Sequence, residues 1–343
     1  MRRRQFLLSA AGASLVSARR LWADHHIVSW DPLVVVFDLS SLQGRYTRVE
    51  DFYIRNHHEA PANALPMSLR IEGEVAKPQE VSSDRLKVLP VREIGAVLEC
   101  AGDPVRAISL VSDGIWRGWR LEDIISLARP QPAGAYLHLF GHDGFSRSVP
   151  LDRAVSDGWL VTQLNGRPLL RDHGAPWRAL FPGWYGMDSV KWLEKIVVAT
   201  SPLPPVGNTY LEMKRDPSGN LVAQPLPPLR VKSVITAPAS GAVVQRGKML
   251  ARGLAWSGAG KIKSVQVSAD GGTTWQPAAL DESASRYDWA LWTSSLDLSR
   301  PGVVELVVKA TDAAGNSQPE QWPSNRVDLY AYNVCDRIRC VVV

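Results

Sequence analysis

Leu98-Glu99-Cys100-Ala101-Gly102 holds the only cysteine in the first 334 residues, and the reading of the chain turns on it. Upstream, Val91 to Leu98 is an apolar run interrupted by Arg92 and Glu93. This predicts a buried strand running into a tight turn at Gly102. A cysteine at a strand end can offer its sulfur to something outside the sheet. As a thiolate it is a ligand for soft, redox-active transition metals. The alternative for an isolated cysteine is a small buried hydrophobe, so the rest of the chain has to decide.

The N-terminus reads Met1-Arg2-Arg3-Arg4-Gln5-Phe6-Leu7-Leu8, followed by small and apolar residues to Ala18. A charged start and a short apolar run are a secretory layout, too short to span a bilayer. Arg3-Arg4-Gln5-Phe6-Leu7 matches the twin-arginine export pattern. The expectation is a signal peptide over 1–23, a periplasmic destination, and export in a folded state, often with a cofactor inside. Without it the charge balance changes. Arg2, Arg3, Arg4, Arg19 and Arg20 fall in the leader with no acid beside them, which reduces 39 basic residues to 34 against 34 acidic ones. A near-neutral mature protein gives no argument for nucleic acid binding. No other apolar run approaches membrane-span length. Cys335 and Cys340, five apart, read as strand filler and not as a disulfide framework.

Asp31 to Tyr53 looks irregular, with Pro32 and Gly44 as punctuation. Phe52-Tyr53-Ile54-Arg55-Asn56-His57-His58 suggests a strand ending in a polar loop. Met67 to Val75 alternates as a half-buried strand, and Leu121 to Ala128 carries helical spacing. Ala135–Leu139, Leu160–Leu164 and Ile196–Ala199 read as further strands, with turns at 141–144 and 165–168, and Leu151–Ala154 as the start of a short helix. Short strands with few helices make this half α+β. Prolines at 202–205 and 225–228 bracket a region that places a boundary near Leu229. Beyond it, strands with regular turn signals, such as Ala269-Asp270-Gly271-Gly272, predict an immunoglobulin-like β-sandwich over 229–343.

Several chemistries fail on spacing. The sequence has no GxGxxG, no complete phosphate-binding P-loop, no HExxH and no CxxCH. His138 and His142 sit in a strand and turn, where a separation of four does not converge. What remains is a scattered set in loops at strand ends: Arg55, Asn56 and His57; Cys100; Asp143; His173 and Arg178; Lys191. Cationic and amide donors spread over several loops suit a large anionic cofactor better than a catalytic dyad.

Together these segments resemble the sulfite oxidase family of molybdenum enzymes. The matching pieces are Phe52 to His57, Leu98 to Gly102, Gly114-Ile115-Trp116-Arg117-Gly118, Leu164 to Leu169, Arg171 to Arg178, and Val190-Lys191-Trp192-Leu193. In the second half, Gly253 to Gly258 and Ser268 to Trp275 resemble the family's dimerisation domain. The resemblance implies a molybdopterin-binding oxidoreductase domain over 24–228 with Cys100 as the protein ligand of molybdenum. It implies that Asn56, His57, Asp143, His173, Arg178 and Lys191 bind the molybdopterin. Arg55, Arg106 and Arg326 would surround the substrate anion. The implied reaction is oxygen transfer to sulfite, giving sulfate, then two one-electron transfers to a separate acceptor such as cytochrome c. A homodimer is implied as well.

Three features depart from the family pattern. Thr162 stands where the family usually has an active-site tyrosine, Asp103 stands where it usually has asparagine, and the segment from Pro104 to Gly114 is short. These open two alternatives to sulfite chemistry: another sulfur substrate, such as a sulfane or S-oxide, or a non-enzymatic binding protein on the same scaffold.

Overall fold

The computed structural model describes residues 26–42, 44–103, 108–204, 210–281 and 283–343. The expected leader and Arg106 lie outside them. The described chain is strand-rich, with three short α-helices at Ser83–Leu86, Leu121–Ser126 and Leu151–Asp157.

Two sheets build the first half. One runs, in spatial order, Ser146–Pro150, Tyr136–Gly141, Leu193–Ala199, Ser68–Gly73 and Gln79–Ser82. Its inner face packs on the Leu121 and Leu151 helices through Leu69, Ile71, Ile124, Leu139 and Ile196. Leu121, Ile124 and Ile125 lie on one helical face, which is why that segment folds as the spacing predicts. The other sheet runs Arg167–Pro168, Trp159–Leu164, Val111–Arg120 and Arg92–Glu99, with Arg178–Leu180 also pairing to Trp159–Leu164. The strand Arg92–Glu99 pairs antiparallel with Val111–Arg120 from Arg92↔Gly118 to Glu99↔Val111. Its last four residues are all buried. Both faces are therefore covered where the chain reaches Cys100, and the run is continuous rather than alternating.

The stretch expected to be irregular contains a strand. Leu33–Asp38 pairs with His26–Trp30, with Ile54–Arg55 and with Ile108–Ser109. Leu33 to Phe37 is an unbroken apolar run with no alternation, so its period gives no strand signal although its β-branched residues favour one. The proline-bracketed region likewise holds a hairpin, Leu211–Arg215 against Leu221–Pro225.

After Leu229 two sheets pack face to face. Lys232–Ala237, Gly247–Trp256, Ala290–Leu298 and Ala279–Leu280 form one; Val243–Val244, Asp336–Val342, Gly302–Asp312, Ile262–Ser268 and Gln276–Pro277 form the other. Ile235, Ala251 and Trp292 meet Val265, Val267, Leu306 and Val308 between them. Asp270 caps the expected turn by accepting bonds from the Thr273 and Thr274 amides, at 3.0 and 2.8 Å. Cys335 and Cys340 are free and buried, as filler residues are. A further apolar cluster joins the two halves: Phe37, Val97, Ala101 and Met187 pack with Leu229, Val234, Leu254, Trp256 and Trp289.

Candidate functional site

Several chain segments, distant in sequence, bring their ends to one open cavity. The strand Ile54–Arg55 delivers Arg55 and His57. The strand Arg92–Glu99 ends on Cys100. The turn after Tyr136–Gly141 brings Asp143 and Phe145, and the loops from Asp172 to Lys191 supply His173, Arg178 and Lys191. The Cys100 thiol is half-buried, and burial raises it above its ordinary pKa while Arg55 pulls the other way. Its turn is fixed by backbone bonds, Cys100 N–H to Leu110 O at 2.9 Å and Asp103 N–H to Cys100 O at 3.0 Å.

Among the described residues the two inner cations are held by neutral oxygens and not by direct ion pairs. Arg178 is buried and donates to the carbonyls of His173, Ser189 and Ala179, at 3.2, 2.6 and 3.3 Å. Burial lowers its pKa to about 10. Lys191 donates to the Asn56 side-chain oxygen and to Asp172 O. Burial first, then the neighbouring Arg178, brings its pKa down to about 7. Among the described residues neither cation has a carboxylate within ion-pair distance. His173 falls to about 3, mainly through burial, and is neutral. Its Nε2–H donates to Val49 O at 3.2 Å, which leaves Nδ1 unprotonated. His57 falls to about 4 through burial and the nearby Arg55; its ring stacks on Phe145 at 4.8 Å and meets the Tyr210 hydroxyl.

These residues fit an anionic, hydrogen-bonding cofactor with a soft metal. The buried Asn56 Nδ2 has no partner among the described residues, so an amide donor is left over beside the cavity. Gly174, at φ +102°, would bring a Cβ within 3.0 Å of the Lys191 stem and 3.1 Å of the Arg178 stem. Glycine there lets both cations close on one spot. Arg55 is exposed while still lining the cavity, at its mouth.

The structure brings together Arg55, His57, Cys100, Asp143, His173, Arg178 and Lys191, with Asn56 immediately behind them. It does not bring in two others. Thr162 is not among the lining residues: it occupies a bulge where the pairing of Trp159–Leu164 with Val111–Arg120 slips between Val161 and Gln163. Its carbonyl accepts from Leu169 N–H at 3.0 Å. Arg326 is buried elsewhere, bound to Glu212 at 2.9 Å and Asp328 at 2.7 Å. These two carboxylates are what hold it away from the cavity. Asp103 is buried and also absent from the cavity wall. Sequence reasoning missed Tyr53, Phe145, Met187 and Tyr210, which supply much of the lining. Phe145 directly follows the 141–144 turn, the one local signal among them.

The family model for an oxidoreductase molybdopterin binding domain matches residues 57–205, and that for a Mo-co oxidoreductase dimerisation domain matches 224–333. The chain is 34% identical to the mitochondrial sulfite oxidase of Drosophila melanogaster, over 81% of this chain and 56% of that protein. It is 32% identical to the sulfite oxidase of Gallus gallus, over 79% of this chain and 67% of that one. It thus spans little more than half the length of the fly relative. Its fold matches that of the sulfane dehydrogenase SoxCD from Paracoccus pantotrophus with a TM-score of 0.83 at 24% identity, covering 92% of this chain and 87% of that one. With a thiol at the wall of a cationic cavity and both family domains in order, the chain belongs to the sulfite oxidase family of molybdopterin-dependent oxidoreductases.

Proposed function

We propose that the chain oxidises sulfite to sulfate in the periplasm, after twin-arginine export, and passes electrons to a separate cytochrome c-type acceptor. The observation that carries this is the cluster of Arg55, Arg178 and Lys191 around the Cys100 thiol, with no carboxylate among the described residues in an ion pair with the two inner cations. In the balanced reaction, sulfite and water give sulfate, two protons and two electrons, taken up by the acceptor one at a time.

When bound, the molybdenum centre supplies two-electron oxidation and oxygen-atom transfer. The chain holds and addresses it. Cys100 ligates the metal through a soft sulfur donor. Arg178 and Lys191 pair with the phosphate, and Asn56, His57, Asp143 and His173 address the pterin with donors and acceptors. Arg55, at the mouth, draws the sulfite anion in and orients its oxygens. Phe145, Met187 and Tyr210 cover the inner wall and exclude water, which strengthens each charged contact.

A second reading, a bulkier sulfur substrate such as a sulfane, rests on the departure in sequence at Thr162, where the family usually has a tyrosine. We read the domains as 1–23, 24–228 and 229–343. The last is an immunoglobulin-like sandwich that forms a two-fold homodimer. Exposed Val243, Val341 and Val303 support the dimer. They are directly paired across three adjacent strands and so lie in a row on one sheet face.

Protein produced in a host that makes molybdenum cofactor tests the substrate. About one molybdenum per chain with sulfite-dependent reduction of ferricyanide or cytochrome c is expected, one thiolate ligand serving one metal. Intact molybdenum without sulfite turnover would defeat sulfite as substrate. In that event, activity on sulfane compounds by the molybdenum-loaded protein would establish the second reading.

A further inference from the structure

Both residues flanking the cysteine turn are buried carboxylates, and both face away from the cavity. Glu99 and Asp103 converge on the ammonium of Lys232, at 2.6 and 2.9 Å. All three side chains are almost completely buried. Lys232 comes from the first strand of the C-terminal half, more than a hundred residues away. Every other acceptor site in the cluster is also filled. The second Glu99 oxygen accepts from Trp256 Nε1 at 2.7 Å, and the second Asp103 oxygen accepts from Ser109 Oγ and Leu110 N–H, each at 2.6 Å. The Ala101 carbonyl, inside the same turn, accepts from Ala331 N–H at 2.8 Å. Residues 99, 101 and 103 are therefore tied down by Lys232, Trp256 and Ala331 of the C-terminal half, and Leu110 by Asp103.

Taking three charges out of water is costly, and geometry of this quality is needed to offset it. Burial alone would lower the Lys232 pKa. Asp103 and Glu99 outweigh that and keep it protonated. An apolar contact would join the two halves at less cost, and one already does so through Val97, Leu254 and Trp256. What the ion cluster adds is direction. It fixes Glu99 and Asp103 on either side of Cys100 and leaves the sulfur one way to face.

We propose that Lys232 is a positioning residue for Cys100: the C-terminal half clamps the cysteine turn from behind, and the thiol reaches its working orientation only when that half is docked. The proposal rests on Cys100 being the metal ligand, and its test separates the two. Asp103→Asn/Lys232→Met removes the bridge and keeps the formal charge of the cluster at one negative, and the remaining Glu99 carboxylate keeps its bond from Trp256 Nε1.

Two readouts on the full chain follow. In protein made without cofactor, the rate of iodoacetamide alkylation at Cys100, located by peptide mass spectrometry, should rise at least fivefold in the double variant. Cys335 and Cys340 serve as buried internal controls. In the loaded enzyme, the g-values of the pentavalent molybdenum EPR signal, which report the sulfur–metal geometry, should shift. Asp103→Asn/Lys232→Gln, whose amides bridge the same gap, should return both readouts toward wild type. Unchanged alkylation and an unchanged EPR signal in the methionine variant overturn the clamp. Wild-type protein that binds no molybdenum sinks the ligand assignment instead, and the alkylation result then still decides whether the clamp holds the turn.

Discussion

Lys191 carries a conflict that a single substitution exposes. Its pKa in the fold is about 7, against about 10.5 for a free lysine. The folded chain therefore disfavours the charged form. At pH 7 and below this costs roughly 4–5 kcal/mol relative to the unfolded chain, at 1.36 kcal/mol per pH unit. The sign follows from proton binding. Between pH 7 and 10.5 the unfolded state binds the proton and the native state does not, so the penalty fades as pH rises through that window. Lys191→Gln removes the charge. It also weakens the bonds to Asn56 and Asp172, each of order 1 kcal/mol. The net expectation for cofactor-free protein is a stabilisation of about 2 kcal/mol at pH 6.5, raising Tm by about 4 °C for a domain of this size. The difference should cross zero near pH 9 and reverse by about pH 10.5 to a destabilisation of about 1–2 kcal/mol, where the charge penalty is nearly gone and the lost hydrogen bonds remain. The loaded enzyme should show the reverse, with reduced molybdenum content, because the positive charge is there to meet a phosphate. Thermal unfolding of cofactor-free protein across pH, with metal analysis of the loaded form, checks both halves. A lower Tm for cofactor-free Lys191→Gln at pH 6.5 would refute the reasoning.

Three further outcomes follow. Arg55→Gln should raise the KM for sulfite about ten- to hundredfold in steady-state assays, since a charge-assisted bond contributes roughly 1.5–3 kcal/mol; an unchanged KM removes Arg55 from anion capture. Cys100→Ser should abolish turnover, a hydroxyl being a poor replacement for soft sulfur ligation; full activity in the serine variant counts against the ligand assignment. Val303→Glu should convert the dimer to monomer in light scattering at micromolar concentration, by placing charge in the exposed valine row; a dimer that survives it lies on another face.

Legibility in the sequence depended on how local each feature is. The strand into Cys100 was readable because its apolar run ends in the turn at Gly102, and the 141–144 turn because Gly141 and Gly144 bracket it. The Leu33–Phe37 strand escaped, since a run without alternation shows no period. The cation cluster is assembled from loops up to 135 residues apart, as Lys191 and Asn56 are. No spacing rule brings those together, and the resemblance alone did so. The same limit misplaced Arg326, whose partner Glu212 lies in a hairpin the prolines concealed.

Asp103 shows most clearly what a sequence cannot weigh. Beside the cysteine motif, a carboxylate where relatives usually carry an amide reads as a changed substrate pocket. The fold turns that side chain the other way, onto a lysine 129 residues downstream. An unpaired carboxylate at that depth would shed its charge or destabilise the fold. The lysine is thus the condition for the aspartate. Lys232 itself sits in the run Val231 to Ile235, where a pattern reading expects an apolar residue. The departure at 103 is then no reason to doubt sulfite as substrate. That question narrows to what faces the mouth beside Arg55.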